Sequence, residues 1–119
     1  MESARIIKKY PNRRLYDTAI SRYITLEEIQ TLVLKSVPFK VIDARTKADM
    51  THYVLLQIIT ERENGHSPIF STDTLQNIIR FYGHPLQHEV TDLFEKNLAV
   101  VVNKKFDIES VIVEDMHNE

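Results

Sequence analysis

In the first half of the chain, short runs of β-branched and aromatic residues alternate with polar ones, and this period of two predicts β-strands. Pro11 ends the first run, because proline has no backbone N–H to donate to a neighbouring strand. The second and third runs are close enough in sequence to form a β-hairpin, and the last run is a short return strand. The five strands are predicted over residues 5–10, 14–17, 22–25, 39–44 and 50–52.

Apolar residues spaced three and four apart predict four helices between and after these strands. The first helix begins with a capping box, in which Thr25 is the N-cap residue and Glu28 follows three residues later. Asp73 opens the third helix, and Pro85 lies in the first turn of the fourth, where its missing N–H costs nothing. The helices are predicted over residues 26–36, from 51 or 52 to 64, 72–82 and 85–102.

The apolar stripe of each helix is its predicted buried face. Part of the fourth helix also fits a heptad pattern, with Asn97 as the polar member that can fix register and oligomeric state. The predicted buried faces are Leu26, Ile29, Leu32 and Val33 in the first helix, Val54, Leu55, Ile58 and Ile59 in the second, and Leu75, Ile78, Ile79 and Tyr82 in the third.

Together these elements predict an α+β fold, in which a small module of short antiparallel strands and two helices precedes a C-terminal helical segment. The module is expected to occupy residues 5–64, and the helical segment, which joins subunits, residues 66–106. Residues 107–119 form an acidic tail.

Composition narrows the class of protein. The chain has 43% hydrophobic and 27% charged residues, which is ordinary for a globular domain, and it has no cysteine for disulfides or thiolate chemistry. No apolar run approaches the roughly 20 residues that cross a bilayer, and the N-terminus lacks the apolar segment of a signal peptide. We therefore expect a cytoplasmic protein.

The motifs of enzymes and metal sites are missing from the sequence. His84 and His88 are four residues apart, but Pro85 lies between them and no acidic residue is placed as a clear third ligand. There is no glycine-rich phosphate loop, G-x-S-x-G elbow or H-E-x-x-H motif. We expect neither an enzyme nor a bound metal or other cofactor.

Charge is distributed unevenly along the chain. Residues 1–22 carry six basic and two acidic side chains, whereas the remaining 97 residues carry nine basic and fifteen acidic ones. The basic stretch also contains tyrosines, and this mixture suits a nucleic-acid surface, because cations neutralise phosphates and rings reach sugars and bases. A basic edge strand that protects a sheet from aggregation is the competing interpretation.

Within this stretch, Arg13 and Arg14 offer forked donors that can span phosphate oxygens or the edge of guanine. Neighbouring residues of a strand point to opposite faces, so Arg13 and Arg14 cannot both face DNA if they lie in a regular strand. One of them is then expected to contact DNA while the other pairs with an acid such as Asp17 or Asp43.

Several stretches of the chain resemble the polyhydroxyalkanoate (polyhydroxybutyrate) synthesis repressor, or accumulation regulator, family. They are KKYPNRRLYDT, SRYITLEEI, FKVIDARTKADMT, VLLQIITERE and FSTDTLQNIIRFYG. The resemblance covers about residues 5–102 and implies a bacterial cytoplasmic regulator that represses phasin and related genes, including its own. It also implies three partners: double-stranded promoter DNA, the storage polymer whose binding releases the DNA, and further copies of the chain in a dimer or tetramer.

By this resemblance the DNA-binding residues are Lys8, Lys9, Tyr10, Asn12, Arg13, Arg14, Tyr16 and Arg22. For polymer binding, exposed apolar residues of the second half are candidates, namely Phe70, Phe81 and Phe94, although an ordinary core or subunit interface also explains each of them. The alternative function is that of a non-enzymatic structural protein on polymer granules, whose basic stretch binds a protein partner.

Overall fold

The computed structural model describes residues 3–117, and side chains as far as residue 103. The chain divides into two compact units, Met1–Ile69 and Phe70–Glu119. The α+β class is confirmed, because the first unit combines a four-stranded sheet with helices. The elements are β1 (Arg5–Lys9), β2 (Leu15–Asp17), β3 (Arg22–Ile24), α1 (Leu26–Leu34), β4 (Phe39–Asp43), α2 (Thr51–Glu63), α3 (Thr72–Phe81) and α4 (Gln87–His117).

The sheet has the strand order β3-β2-β1-β4. The predicted hairpin is confirmed, since β2 pairs antiparallel with β3 and places Tyr16 opposite Tyr23. β4 departs from the predicted antiparallel arrangement, because it pairs with β1 in parallel and places Val41 beside Ile7. The reason is topological. α1 carries the chain from the end of β3 back across the sheet, and such a crossover makes β4 parallel to β3. β3 itself runs in the same direction as β1, because both are antiparallel to β2.

The return strand predicted over residues 50–52 does not form. Asp49 makes a single isolated bridge to Ile42, and α2 already begins at Thr51. A side chain takes the place of the missing strand, because the Thr51 hydroxyl accepts the Val41 N–H at 2.9 Å. The Met50 N–H then donates to the Val41 carbonyl at 2.7 Å, so the edge of β4 is closed by the start of a helix.

The hydrophobic core of the first unit lies between one face of the sheet and the two helices α1 and α2. Each helix contributes one fully buried residue, and Leu26, Leu32 and Ile58 pack partly buried around them. The predicted stripes are too wide, since Val33 and Ile59 are about half exposed, at 47% and 48%. The buried residues are Ile7, Leu15, Ile24, Ile29, Val41 and Val54.

The predicted capping box of α1 is confirmed. The Glu28 N–H donates to the Thr25 hydroxyl at 3.2 Å, and the Thr25 N–H donates to the Glu28 carboxylate at 2.9 Å. The backbone N–H of Thr25, followed by the Arg22 side chain, lowers the pKa of Glu28 below its ordinary value. The start of α1 is therefore fixed directly beside the end of β3.

The helices of the second unit differ from the prediction at their ends. Ser71, and not Asp73, caps α3, because its hydroxyl accepts the Thr74 N–H at 3.1 Å. Pro85 precedes α4 instead of lying in its first turn, and α4 continues to His117, well past the predicted end at residue 102.

The predicted buried face of α3 is mostly exposed, and only Ile78 of its four residues is partly buried. Within α3 no residue is buried, and Ile79 of the predicted stripe is 68% exposed, as is 71% of Tyr82 just beyond the helix. In the described part of the chain, no helix is both long enough and apolar enough to cross a membrane.

Candidate nucleic-acid interface

The sheet has a second face that α1 and α2 do not cover, and no residue on it is buried. Alternation along the strands places every second side chain here, opposite the core residues. Tyr10 and Arg14 extend this face beyond the strand ends, because the Tyr10 N–H donates to the Arg14 carbonyl at 2.9 Å. We call it the open face, and it consists of Ile6, Lys8, Tyr10, Arg14, Tyr16, Tyr23, Lys40 and Ile42.

Three tyrosines of the open face contact one another edge to face. The ring centre of Tyr23 lies 5.3 Å from that of Tyr16 and 6.3 Å from that of Tyr10. The guanidinium carbon of Arg14 lies 5.0 Å from the centre of the Tyr23 ring, a cation–π distance. The rings therefore hold Arg14 in place, it forms no ion pair with an acid among the side chains that the structure describes, and its charge stays available to an anion.

The two adjacent lysines of β1 lie on opposite faces of the sheet. Lys8 belongs to the open face, between Tyr16 on one neighbouring strand and Ile42 on the other. Lys9 faces the helices, where its Nζ lies 5.5 Å from the centre of the Tyr53 ring at the start of α2. A basic pair in the sequence is thus divided by the sheet.

A tight turn connects β1 to β2. The Arg13 N–H donates to the Tyr10 carbonyl at 3.1 Å, and the Asn12 side-chain oxygen accepts the Arg14 N–H at 3.3 Å. Arg13 has a φ of 65°, in the left-handed region that reverses the chain. The expectation of opposite faces does not apply here, because both arginines precede β2, which begins at Leu15.

The acids expected to pair with Arg13 or Arg14 are engaged elsewhere, so that prediction is wrong. Asp17 is 1% exposed and forms an ion pair with Arg5 at 3.0 Å, while it also accepts the Ala19 N–H at 2.9 Å. The Asp43 carboxylate accepts backbone N–H groups of the loop that follows it. Arg5, a member of the basic stretch, therefore serves the fold.

Arg22 also lies on the helix side of the sheet. Its guanidinium donates to the Glu28 carboxylate at 3.1 Å, and so it joins β3 to the capping box of α1. Sequence reasoning counted Tyr23 among the tyrosines of the basic stretch but left it out of the DNA-binding residues, although its alternation with Arg22 was a usable signal. The structure places Lys8, Tyr10, Arg14 and Tyr16 on the open face, Asn12 and Arg13 in the adjoining turn, and Lys9 and Arg22 on the helix side.

The residues predicted to bind polymer lie in the second unit. The ring centres of Phe70 and Phe94 are 6.3 Å apart. Phe81 and Phe94 line a groove of about 410 Å³, together with Ile78 and Val90. Among the side chains that the structure describes, no group of three or more His, Asp and Glu residues is arranged to hold a metal ion.

Comparison of the sequence with known proteins identifies the family. Residues 6–66 match the PHB/PHA accumulation regulator DNA-binding domain. An uncharacterized protein of Allochromatium vinosum is 44% identical over 115 residues, which are 97% of this chain and 75% of that protein. A protein of Thiocystis violacea, described as an uncharacterized protein in the phbA 5′ region, is 48% identical over 108 residues, 91% of this chain and 78% of its own.

No solved structure matches the chain. The family match runs from the second residue of β1 past the end of α2, so it includes the open face, the turn beside it and all of the sheet except Arg5. The resemblance seen in the sequence is thereby confirmed for this part of the chain. The chain belongs to the PHB/PHA accumulation regulator family, and it is a DNA-binding regulator of polyhydroxyalkanoate accumulation.

Proposed function

We propose that this protein represses polyhydroxyalkanoate storage genes, including a phasin gene and its own, by binding their promoter DNA in the cytoplasm. Binding of the storage polymer at the granule surface then releases the DNA. The observation that carries the proposal is the open face, which combines Lys8 and Arg14 with a tyrosine cluster in a DNA-binding family. The relative named for the phbA 5′ region supports the link to storage genes.

The open face suits a DNA duplex because its charged and aromatic groups occupy one side of the sheet. Lys8 and Arg14 neutralise phosphates, and the tyrosine hydroxyls reach phosphate or sugar oxygens. The turn beside the face presents Asn12 and Arg13, side chains that hydrogen-bond adenine and guanine edges in the major groove. Lys9 and Arg22, which face the helices, support the fold and add only to the general field.

Polymer binding is supported by the groove of the second unit. A polyhydroxyalkanoate is a polyester, so it presents aliphatic surface together with ester carbonyl acceptors. The groove offers matching chemistry, since Phe81 and Phe94 provide apolar walls while Thr74 and Asn77 lie among them as donors. Phe70 packs next to Phe94 and supports this wall.

We expect light scattering to show a dimer or tetramer at micromolar concentration. The reason is the apolar surface of the second unit, where Ile79, Leu93 and Val101 are each at least 60% exposed, because large exposed apolar surfaces mark sites of protein–protein contact. Pairing about a two-fold axis would also double the DNA contacts. Leu93→Glu should shift the particle toward a monomer, whereas a wild-type protein that is already monomeric would contradict this part of the proposal.

The direct test is fluorescence anisotropy with a labelled duplex from the promoter of the protein's own gene, repeated over a series of salt concentrations. If each of two copies makes about three phosphate contacts, log affinity should fall against log salt with a slope of about −5. Polyhydroxybutyrate particles should release the duplex, and polystyrene particles of equal size should not. Tight particle binding without any DNA binding at low salt would favour the alternative, a structural granule protein.

A further inference from the structure

A second basic loop lies beside the turn that connects β1 to β2. Because β4 runs parallel to β1, the carboxyl ends of both strands lie at the same end of the sheet. The register places Asp43 beside Lys9, and the Ala44 N–H donates to the Lys9 carbonyl at 2.9 Å. Adjacent strands are about 4.8 Å apart, so the two loops leave the sheet side by side.

The loop after β4, residues 44–49, is fixed by its own hydrogen bonds. The Asp43 carboxylate accepts the N–H groups of Arg45 at 2.8 Å and Thr46 at 2.9 Å. Lys47 has a φ of 65° and donates its N–H to the Asp43 carbonyl at 3.0 Å. Arg45 and Lys47 are both exposed, so two cations are presented on a loop whose backbone is already ordered.

Two acidic residues flank these cations, and both are engaged by backbone donors. The N–H groups of Thr46 and then Arg45 lower the pKa of Asp43. The Asp49 carboxylate accepts the Thr51 N–H at 2.9 Å, and this bond lowers the pKa of Asp49. The carboxylates therefore order the loop. Lys47 Nζ also donates to the Ala44 carbonyl at 3.1 Å, but an ammonium has three N–H donors, so both exposed cations remain able to meet an external anion.

We propose that Arg45 and Lys47 contact the phosphate backbone of the same DNA duplex that the open face binds. The inference rests on the proposed function and extends its interface from the β1–β2 turn to the β4–α2 loop. The two loops are close enough to reach one duplex, because they leave strands about 4.8 Å apart and one DNA strand carries a phosphate at about every 3.4 Å of its axis. Since phosphates carry no sequence information, the loop adds affinity and not base preference.

The test removes the two charges and keeps a polar side chain at each position, with the double variant Arg45→Gln/Lys47→Gln. Lys35→Gln is the matched control, since Lys35 is an exposed lysine at the end of α1, by the amino ends of β1 and β4. We expect the slope of log affinity against log salt to become shallower by about 1.8 per bound copy in the double variant. The loss should be equal on the promoter duplex and on a mixed-sequence duplex, and Arg45→Lys should retain the wild-type slope.

Circular dichroism melting should be unchanged in all of these variants, because the substituted side chains are exposed. A double variant with the wild-type slope, equal to that of Lys35→Gln, would overturn the inference and leave the open face untouched. A wild-type protein that binds neither duplex would instead overturn the proposed function, and the inference with it. A loss confined to the promoter duplex would also contradict the inference, because it would indicate base contacts.

Discussion

Arg5→Met is expected to lower the free energy of unfolding by about 3 kcal/mol, because it leaves a buried carboxylate without its cation. Asp17 is 1% exposed and its ion pair with Arg5 measures 3.0 Å, whereas the Arg5 side chain remains 29% exposed. This partial exposure puts the expected loss at the lower end of the roughly 3–5 kcal/mol that breaking a buried pair costs. Urea unfolding at a fixed protein concentration measures it, since association would otherwise change the apparent stability.

Two further variants separate the buried charge from other effects of the substitution. Arg5→Met/Asp17→Leu should recover most of the lost stability, because it removes both charges and leaves none uncompensated. Arg22→Met breaks a similar pair with Glu28, but that pair is exposed, at 58% and 40%, and its loss should be far smaller. Equal losses in Arg5→Met and Arg22→Met would show that the burial of Asp17 does not set the stability.

The parts of the fold that depend on near neighbours could be predicted from the sequence. The capping box at Thr25 and Glu28 involves atoms three residues apart, and the hairpin of β2 and β3 joins strands that are close in sequence. Alternation also describes each strand correctly. Alternation does not show which face of a strand the helices cover. For this reason the sequence predicts Lys8 and Lys9 as members of the same DNA-binding surface.

The rest of the fold depends on contacts between distant residues. Asp17 lies in a strand of mixed polarity, and the cation that accompanies its burial, Arg5, lies twelve residues earlier. The sequence predicts a return strand at residues 50–52, whose backbone would pair with β4. In the structure the Thr51 side chain accepts the Val41 N–H instead. The exposed stripe of α3 is a further example, since helical spacing predicts an apolar face but does not identify the part of the protein that packs against it.

The candidate site combines both kinds of information. Local pattern identified the basic and aromatic stretch, and the tertiary fold decided which of its members share a surface. Tyr23 joins the site through its register with Tyr16, and the β4–α2 loop comes beside the turn only because β4 enters the sheet parallel to β1. A DNA-binding site predicted from the basic stretch alone therefore includes side chains, such as Lys9 and Arg22, that lie on the helix side of the sheet.

The double variant Lys8→Gln/Arg14→Gln is expected to weaken DNA binding on the order of 100-fold or more. A hydrogen bond to a charged group contributes about 1.5–3 kcal/mol, and about 1.4 kcal/mol corresponds to a factor of ten in affinity. Both side chains occupy the open face, and Arg14 is already held over the Tyr23 ring, so little ordering opposes its contact with phosphate. Anisotropy with the promoter duplex at moderate salt measures the loss.

Lys9→Gln is the matched control, because it removes the same charge from the next residue on the other side of the sheet. Its Nζ lies against Tyr53, so we expect the affinity to change by no more than a few-fold, with a small effect on melting. If the single variant Lys8→Gln weakened binding no more than Lys9→Gln does, the open face would not be the surface that DNA contacts. The comparison of two adjacent lysines therefore decides which surface of the domain the duplex contacts.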